Sequence, residues 1–233
     1  MKIFTLIPSG GLGKRMNNPL PKQYLKFNNR ELIAYTLSVF QKCNLIDEII
    51  VAAQKDYFRL LEEIKEKNSF TKLTGIVEGG NERQQSVFNA LKSIKAHNDD
   101  IIVVHDAVRP LLQQDLLIRA IETAKEFGSA VVAVKAKDTL IKGDDFVQSY
   151  IDRSEVYYVQ TPQIFRYKII YDAMETAASK NFVGTDESML AHSCLEKVKI
   201  VEGSSLNFKI TNQDDVKLFE LICDNIKNGK LTL

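Results

Sequence analysis

A glycine-rich loop that carries three cations follows the first apolar run of the sequence. The run Ile3–Ile7 leads into the small-residue loop Ser9–Gly13, and the cations Lys14, Arg15 and Lys22 come after it. Glycines let backbone N–H groups come close to a ligand, and closely spaced backbone donors suit phosphate oxygens. Three cations on the same loop favour a polyphosphate over a single carboxylate as the ligand.

Two common phosphate-binding loops do not fit this stretch. A Walker A loop needs Gly, four residues and then Gly-Lys-Ser or Gly-Lys-Thr, a spacing found nowhere in the chain. A dinucleotide-binding loop needs a third glycine where Met16 stands, and a helix that starts directly after the loop. Pro19 and Pro21 prevent an uninterrupted helix, and Ala53-Gln54 after the second predicted strand offers no carboxylate. A dehydrogenase is therefore disfavoured, and an irregular loop that wraps a nucleoside triphosphate remains.

Two further motifs place polar residues next to predicted strand ends. The segment Glu78–Val87 has the pattern of a strand end, a Gly-Gly turn and a helix start with Asn81 as its cap. The segment Val104–Pro110 closes an apolar strand and contains Asp106. A carboxylate at the carboxyl end of a central strand can hold a ribose hydroxyl or Mg²⁺, and it can also pair with Arg109. The two interpretations of Asp106 are compatible.

In this order, the motifs resemble those of nucleotidyltransferases that activate sugar or polyol phosphates. The resemblance rests on Gly-x-Gly-x-Arg-Met at 11–16, Pro-Lys-Gln-Tyr-Leu at 21–25, Gly-Gly-x-x-Arg-x-x-Ser-Val at 79–87, His-Asp-x-x-Arg-Pro at 105–110 and Asn-Phe-Lys-Ile-Thr at 207–211. More narrowly, the chain resembles the methylerythritol-phosphate cytidylyltransferase family of the non-mevalonate isoprenoid pathway, from Ile3 to Val216. A ribitol-5-phosphate cytidylyltransferase is the alternative, because it shares the triphosphate motifs and differs only in the polyol pocket.

The resemblance implies a reaction and a set of site residues. The reaction is CTP plus 2-C-methyl-D-erythritol 4-phosphate giving the cytidine diphosphate product and pyrophosphate, with Mg²⁺ as the cofactor. The implied catalytic residues are Arg15, Lys22, Arg153 and Lys209. The implied nucleotide-binding residues are Pro8, Ser9, Gly10, Gly11, Gly13, Gly80, Asn81, Ser86, Asp106 and Ala107, with Asp106 also the candidate Mg²⁺ ligand. The implied substrate-binding residues are Thr139, Arg109 and Thr161.

The implied roles follow from phosphate chemistry. Arg15 and Lys22 would neutralise charge on the α-phosphate as pyrophosphate leaves. Thr139 and Arg153, supplied by the partner's arm, would grip the incoming phosphate, and Lys209 would orient it. The polyol phosphate oxygen is already an anion near neutral pH, so no protein general base is required. A nucleotide-binding regulator without catalysis would be expected to lack one or more of the four cations, and all four are present.

The chain departs from the family pattern in two places near the nucleotide. Ser9-Gly10 stands where Ala-Ala is usual, and Asn81 stands where many members carry Asp. Both departures fall among the residues implied to contact the nucleotide. The preference for CTP over UTP therefore follows less directly from the motifs than triphosphate binding does.

Strand-like and helix-like runs alternate along the chain. The predicted strands are Ile3–Pro8, Glu48–Ala53, Gly75–Val77, Ile101–His105, Ala130–Val134 and Val198–Val201. The predicted helices are about Glu31–Cys43, Lys55–Glu66, Glu82–Ala96, Gln114–Phe127, Tyr167–Lys180 and Gln213–Ile226. Such alternation predicts an α/β fold, with a Rossmann-like, mainly parallel sheet and helices on both faces. The continuous apolar runs Ile101–Val104 and Ala130–Val134 should be central strands, because a strand buried on both faces is apolar throughout.

The alternation fails in one segment, at about 136–160, where no helix follows a buried strand. Instead, β-favouring runs flank the turn Gly143–Asp145, and Val147–Ile151 and Tyr157–Val159 complete a predicted hairpin. We predict one nucleotidyltransferase domain over residues 1–233 with this segment as a protruding β-arm. A two-stranded arm is marginally stable alone, so we expect it to pack on a second subunit, and the resemblance implies a homodimer.

Composition and charge disfavour several other classes of protein. The 31 Lys and Arg residues nearly balance the 30 Asp and Glu residues, so no overall field favours nucleic acid or a membrane surface. Cys43, Cys194 and Cys223 are far apart and lack ligand spacing, which favours reduced thiols in the cytoplasm. Met1 leads directly into the first strand without a signal peptide, and no apolar run approaches the roughly 18 residues of a membrane span. We therefore expect a cytoplasmic enzyme with no nucleic-acid or membrane partner.

Overall fold

The computed structural model describes residues 1–11 and 20–228. Its strands are β1 Ile3–Pro8, β2 Lys26–Phe27, β3 Arg30–Glu31, β4 Glu48–Ala53, β5 Leu73–Glu78, β6 Ile101–Val104, β7 Ser129–Lys135, β8 Leu140–Gly143, β9 Val147–Ile151, β10 Tyr157–Arg166 and β11 Lys199–Glu202. Its α-helices are α1 Leu32–Lys42, α2 Phe58–Asn68, α3 Arg83–Ser93, α4 Gln114–Phe127, α5 Tyr167–Ser179, α6 Glu187–Ser193 and α7 Gln213–Lys227. Every predicted strand and helix is present, with ends that differ from the prediction by a few residues at most. None of the described helices combines the length and apolar character needed to cross a membrane.

Seven strands form one sheet in the order β11-β7-β10-β6-β1-β4-β5. Strand β1 pairs in parallel with β4 and β6, β4 pairs in parallel with β5, and β11 pairs in parallel with β7. Strand β10 lies between β6 and β7 and runs antiparallel to both. The predicted mainly parallel α/β fold is therefore confirmed.

Strand β10 corrects one part of the predicted arm. The sequence pattern places Tyr157–Val159 in the hairpin, whereas in the structure these residues begin β10 and pair with β7. The strand then continues through Gln163 and Phe165 along β6. The pattern did not reveal this strand because it carries Gln160, Thr161 and Gln163, which are polar yet buried. Their side chains are satisfied by hydrogen bonds inside the protein, which only the folded chain provides.

Helices cover both faces of the sheet. Helices α1, α2 and α4 pack on one face, whose core includes Ile7, Val51 and Val103. Helices α3, α5 and α6 pack on the other face, whose core includes Leu6 and Val104. Successive strand residues point to opposite faces, so the apolar run of β6 is buried on both sides and its four residues are fully buried. This packed sheet is the rigid support for the loops that leave its carboxyl edge.

Strands β8 and β9 form a separate antiparallel hairpin, the β-arm. Several of its large apolar side chains face solvent: Ile141, Phe146 and Tyr150 are 52%, 85% and 74% exposed. An isolated hairpin is marginally stable in water, and contiguous exposed apolar surface is typical of an interaction site. The arm therefore presents a surface that is suited to contact with another protein surface.

Candidate active site

A cavity of about 330 Å³ opens at the carboxyl ends of the central strands. Strand β1 lies between β4 and β6, so the strand order reverses at β1, and open α/β sheets bind ligands at such a point. The described residues that line the cavity are Pro8, Ser9, Gly10, Gly11, Lys22, Gln23, Gly80, Asn81, Glu82, Arg83, Ser86, Asp106, Ala107, Val108, Lys209 and Thr211. Gly13 and Arg15, which were predicted to act here, lie outside the described residues.

The start of the glycine-rich loop is tied to its surroundings by hydrogen bonds. The backbone N–H of Ser9 donates to the carbonyl of Ala52 at 2.7 Å. The buried side-chain amide of Gln23 donates to the carbonyls of Ser9 and Gly11, at 2.7 Å and 3.1 Å. The sequence analysis did not single out Gln23, although its place beside Lys22 in the Pro-Lys-Gln-Tyr motif was a usable signal. Gln23 links the loop directly to the 3-10 turn that carries this lysine.

Two predicted catalytic lysines reach this cavity from distant parts of the chain. The ammonium Nζ of Lys22 donates to the carbonyl of Ile210 at 2.8 Å, and the neighbouring Lys209 lines the same cavity. The carboxylate of Asp215, in the first turn of α7, accepts hydrogen bonds from the N–H and the hydroxyl of Thr211, both at 2.7 Å. The loop before α7 is thereby fixed, and it brings both positive charges to one wall.

Asp106 is the centre of a buried ionic cluster. Its Oδ1 lies 3.1 Å from Nε of Arg83, and its Oδ2 lies 3.2 Å from Nε of Arg109 and 3.0 Å from Nζ of Lys209. Burial by itself raises the pKa of Asp106, but the three cations outweigh burial and hold the pKa well below its ordinary value. The carboxylate is therefore ionised and offsets part of the positive charge around the cavity.

Arg83 and Glu187 belong to the same cluster. From the sequence, Arg83 has no predicted role, and the segment that contains Glu187 is a predicted helix start whose resemblance to a family motif implies only a secondary role in shaping the site. Nη1 of Arg83 contacts both carboxylate oxygens of Glu187, at 2.7 Å and 2.9 Å. Burial raises the pKa of Glu187, and this pKa stays above its ordinary value although the charge and the hydrogen bonds of Arg83 lower it. Burial lowers the pKa of Arg83, but Glu187 and Asp106 outweigh it and raise that pKa. The available signal was the place of Arg83 in the Gly-Gly-x-x-Arg motif; Glu187 resembled an ordinary residue of a helix start.

The turn after β5 is shaped by side chains of α3. The hydroxyl of Ser86 accepts a hydrogen bond from the N–H of Gly80 at 3.0 Å, and the side-chain carbonyl of Gln85 accepts one from the N–H of Asn81 at 3.0 Å. A Cβ atom added at Gly80 would lie 2.2 Å from Cβ of Gln85. Only glycine fits at position 80 without displacing α3 or the turn. The two hydrogen bonds hold the predicted nucleotide-binding residues Gly80, Asn81 and Ser86 next to one another.

Arg109 and Thr161 were predicted to bind substrate, but they lie behind the cavity and are not among its lining residues. Both are buried. The guanidinium of Arg109 donates to the carbonyl of Asn207 at 2.8 Å and pairs with Asp106. The hydroxyl oxygen of Thr161 accepts from the backbone N–H of Asp106 at 3.1 Å. Behind the cavity, Arg109 thus contacts the carboxylate of Asp106 and Thr161 contacts its backbone.

His105 joins these two supporting residues. Its Nε2 lies 3.0 Å from the carbonyl of Arg109, and a carbonyl only accepts, so Nε2 carries the hydrogen. Burial lowers the pKa of His105 to about 4, so the ring is neutral near pH 7 and its Nδ1 is an acceptor. Nδ1 therefore accepts from the hydroxyl of Thr161, 3.1 Å away. A neutral His105 thus connects the Asp106–Arg109 turn to β10.

We expect the free energy of unfolding to fall as the pH decreases from about 6.5 to about 4, in part through His105. Its pKa in the folded protein, about 4, lies below the ordinary value of 6.5, so the unfolded chain binds the proton more readily. The contribution is complete above pH 6.5 and is lost as the pH falls towards 4. The difference corresponds to about 3 kcal/mol. Urea unfolding across this pH range measures it.

Two histidine variants separate this contribution from the titration of other groups. In His105→Gln, the fall in stability between neutral and acidic pH should be smaller than in the wild type. In the control His192→Gln, which replaces an exposed histidine, the fall should match the wild type. If His105→Gln and the wild type lost the same free energy over this range, His105 would not be the titrating group.

Thr139 and Arg153, predicted to grip the incoming phosphate, lie on or beside the β-arm. Both are exposed, and the guanidinium of Arg153 donates to the carbonyl of Lys137. Neither is among the residues that line the cavity of their own chain. The structure therefore does not bring Thr139 or Arg153 to the cavity of its own chain.

Two carboxylate residues line the cavity, Glu82 and Asp106, and Asp106 is the predicted Mg²⁺ ligand. Among the residues that the structure describes, no three or more His, Cys, Asp or Glu side chains cluster as a metal site. Mg²⁺ is commonly held by one or two carboxylates together with substrate phosphates and water. Asp106 fits this arrangement because it is ionised and lines the cavity, and because its Oδ1, which pairs with Arg83, keeps a second lone pair.

Comparison with known proteins finds relatives along nearly the whole chain. The profile of the family described as IspD, 2-C-methyl-D-erythritol 4-phosphate cytidylyltransferase, matches residues 3–225. The 2-C-methyl-D-erythritol 4-phosphate cytidylyltransferase of Geobacter metallireducens is 42% identical over 94% of this chain and 97% of its own length. The crystal structure of 4-diphosphocytidyl-2C-methyl-D-erythritol synthase from Anaerococcus prevotii has a TM-score of 0.83 and 31% identity, and the match covers 96% of each chain. The crystal structure of the Francisella tularensis cytidylyltransferase has a TM-score of 0.80 and 30% identity, over 95% of this chain and 99% of its own.

The names of these relatives refer to methylerythritol chemistry and not to ribitol. The comparisons therefore do not favour the alternative of a ribitol-5-phosphate cytidylyltransferase. The match includes the cavity loops, the β-arm and all seven strands of the sheet. The family predicted from the motifs is thus confirmed, and the chain belongs to the 2-C-methyl-D-erythritol 4-phosphate cytidylyltransferases, a family of nucleotidyltransferase enzymes.

Proposed function

We propose that the cavity binds CTP together with 2-C-methyl-D-erythritol 4-phosphate and transfers CMP to it, in the synthesis of isoprenoid precursors. The observation that carries the proposal is the convergence of Lys22, Lys209 and Asp106 on one glycine-lined cavity, in a chain of this family. A triphosphate needs cations and backbone donors close together. This cavity offers both at the switch point of the sheet.

The proposed transfer forms one phosphorus–oxygen bond and breaks another. An oxygen of the polyol phosphate attacks the α-phosphorus of CTP. The bond between the α-phosphorus and the oxygen that bridges it to the β-phosphate breaks, and pyrophosphate leaves with the electron pair. The attacking oxygen is already an anion near neutral pH, so no protein group has to remove a proton. Catalysis then depends on orientation and electrostatics.

The proposed roles of the residues follow from the repulsion between two polyanions. The ammonium group of Lys22, together with Arg15, neutralises charge that develops as pyrophosphate leaves. Lys209 orients the incoming phosphate from the same wall of the cavity. Gly80, Asn81 and Ser86 contact the base at the turn after β5. Each role is a charge or a hydrogen bond, and none is a proton transfer.

We propose Mg²⁺ as the cofactor, with Asp106 as its protein ligand and triphosphate oxygens as further ligands. When bound, the ion neutralises charge on the triphosphate. The support for this assignment is the ionised carboxylate at the cavity and the usual preference of Mg²⁺ for such ligand sets.

We further propose that residues 1–233 act as one domain and form a homodimer through the β-arm. The exposed apolar side chains of Phe146 and Tyr150 support an interaction surface. In this proposed dimer, Thr139 and Arg153 of one protomer contact the phosphate in the cavity of its partner, and two-fold symmetry makes the two sites equivalent. The three unpaired cysteines support a cytoplasmic location, because reduced thiols are typical of that compartment.

A pyrophosphate-release assay tests the function directly. CTP or UTP is combined with methylerythritol phosphate or ribitol phosphate in the presence of Mg²⁺, which gives four substrate pairs. We expect CTP with methylerythritol phosphate to be turned over fastest. Faster release with ribitol phosphate would overturn the proposed substrate, and faster release with UTP would overturn the proposed nucleotide.

We expect Gly80→Ala to raise the KM for CTP by at least about tenfold. The added Cβ would lie 2.2 Å from Cβ of Gln85, so the turn must move, and a displacement of about 1 Å at a binding loop can cost up to two orders of magnitude. The kcat should change less, because Lys22 and Lys209 belong to other loops. Steady-state pyrophosphate release at varied CTP measures both quantities.

The matched control for this variant is Gly75→Ala in strand β5. A Cβ atom at Gly75 would lie 3.5 Å from the side chain of Ile50, which is an ordinary contact, and Gly75 does not line the cavity. The control should keep the wild-type KM for CTP. An unchanged KM in Gly80→Ala as well would remove the turn after β5 from nucleotide binding.

A further inference from the structure

We infer that Glu187 is a positioning residue of the transfer, which acts on the nucleotide site through Arg83. The inference rests on the proposed function and adds to it a residue outside the glycine-rich loop, the lysines and Asp106. Glu187 is the first residue of α6, and its side chain is 1% exposed. It does not line the cavity, so any effect on the bound nucleotide must pass through a neighbour.

That neighbour is Arg83, which is held at two points. Its Nε donates to Oδ1 of Asp106 at 3.1 Å, and its Nη1 contacts both oxygens of Glu187. A guanidinium is planar, so contacts on two different nitrogens fix its plane as well as its position. Arg83 is also the first residue of α3, directly after the turn that contains Gly80 and Asn81.

The remaining edge of the guanidinium can serve a ligand. A guanidinium has five N–H donors, and the contacts with Asp106 and Glu187 use only Nε and Nη1. Among the described residues, Nη2 makes no hydrogen bond. Because Arg83 lines the cavity, Nη2 is available to an anionic or hydroxyl oxygen of the bound nucleotide. By fixing the guanidinium plane, Glu187 therefore determines the direction in which Nη2 of Arg83 points in the cavity.

Glu187 also sets the balance of charge around Asp106. Three cations, Arg83, Arg109 and Lys209, share the single carboxylate of Asp106. With Glu187 present, one cation has a second carboxylate of its own. Without that charge, Arg83 has only Asp106 as an anionic partner and competes with Lys209 for it. The expected consequence is a change in the position of Lys209, which is proposed to orient the incoming phosphate.

A purely structural explanation is that Glu187 only ties α6 to α3. This explanation is testable because an uncharged side chain of α3 also forms hydrogen bonds to the segment just before α6. The side chain of Gln84, next to Arg83, donates to the carbonyl of Phe182 at 3.0 Å and accepts from the N–H of Gly184 at 2.9 Å. Gln84→Ala loosens this junction without removing a charge, and it is the matched control.

The first test compares Glu187→Gln with Gln84→Ala in the full-length enzyme, using CTP and methylerythritol phosphate. Glu187→Gln keeps the shape of the side chain and removes its charge. We expect kcat/KM for CTP to fall at least tenfold in Glu187→Gln, with an unfolding midpoint no lower than that of Gln84→Ala. Gln84→Ala should stay close to the wild-type kcat/KM. Equal losses of kcat/KM in both variants would overturn the inference.

The second test is a double-mutant cycle with Arg83→Gln, because coupled residues are non-additive. If Glu187 acts through Arg83, Glu187→Gln should cause no further loss of kcat/KM when Arg83→Gln is already present. A further loss of tenfold or more would overturn the inference. This comparison is made between Arg83→Gln and the double variant, so it stands even if Glu187→Gln alone does not fold. A wild-type enzyme inactive with these substrates would instead contradict the proposed function.

Discussion

Lys22→Ala is expected to lower kcat by about two to three orders of magnitude, the loss typical when one group that stabilises transition-state charge is removed. Lys22 lines the cavity, and its Nζ bonds to the carbonyl of Ile210 in the loop that carries Lys209. In the proposed transfer, its charge is needed most as pyrophosphate leaves. The loss should therefore appear in kcat at saturating CTP and methylerythritol phosphate, with the circular dichroism spectrum unchanged.

The control for this variant is Lys26→Ala, four residues further along the chain. Lys26 is an exposed lysine that pairs with Glu31 at 3.5 Å and does not line the cavity. Glu31 is buried, so Lys26→Ala should lower the unfolding midpoint by removing the cation that pairs with this carboxylate, but it should turn over at nearly the wild-type rate. A Lys22→Ala enzyme with near-normal turnover would remove Lys22 from the mechanism.

Mixing two inactive variants is expected to restore activity. In a dimer of Lys22→Ala with Arg153→Ala, one cavity would combine an intact Lys22 with an intact Arg153 from the partner's arm. The other cavity would lack both residues. Each mixed dimer has one intact site of two, so purified mixed dimers should show about half of the wild-type activity.

This second experiment requires verified mixed dimers, obtained by co-expression of differently tagged chains and purification on both tags. Each variant alone serves as the inactive reference. The expected result rests on the proposed dimer, and Arg153 is suited to it because it is exposed and does not line its own cavity. If purified mixed dimers were no more active than the variants alone, the arm would not complete the active site of the partner subunit.

Much of the fold was predictable because the core strands are apolar without interruption. Residues Ile101–Val104 are fully buried in β6, as a run without polar residues requires. The exception was β10, where Gln160, Thr161 and Gln163 are polar and buried. Their hydrogen-bond partners come from distant segments, for example Ser204 for Gln160. A local pattern cannot show that such residues will be satisfied inside a core.

The sequence motifs of the candidate site could be predicted, but the ion pairs between its residues could not. The glycine-rich loop, Lys22 and Asp106 were singled out because their types and spacing suit phosphate and metal chemistry, and the family that they indicated is confirmed. The link between Arg83 and Glu187 could not be read from the chain, because 104 residues separate the two.

By itself, the sequence determined the alternation of strands and helices, the family and the chemistry of the loops. These properties depend on residue type and local spacing. Only the tertiary structure decided that Arg109 and Thr161 lie beneath Asp106 and that the carboxylate of Asp106 is shared by three cations. The physical reason is that burial and ion pairing depend on distances between segments that are remote in the chain, and packing the helices on the sheet sets those distances.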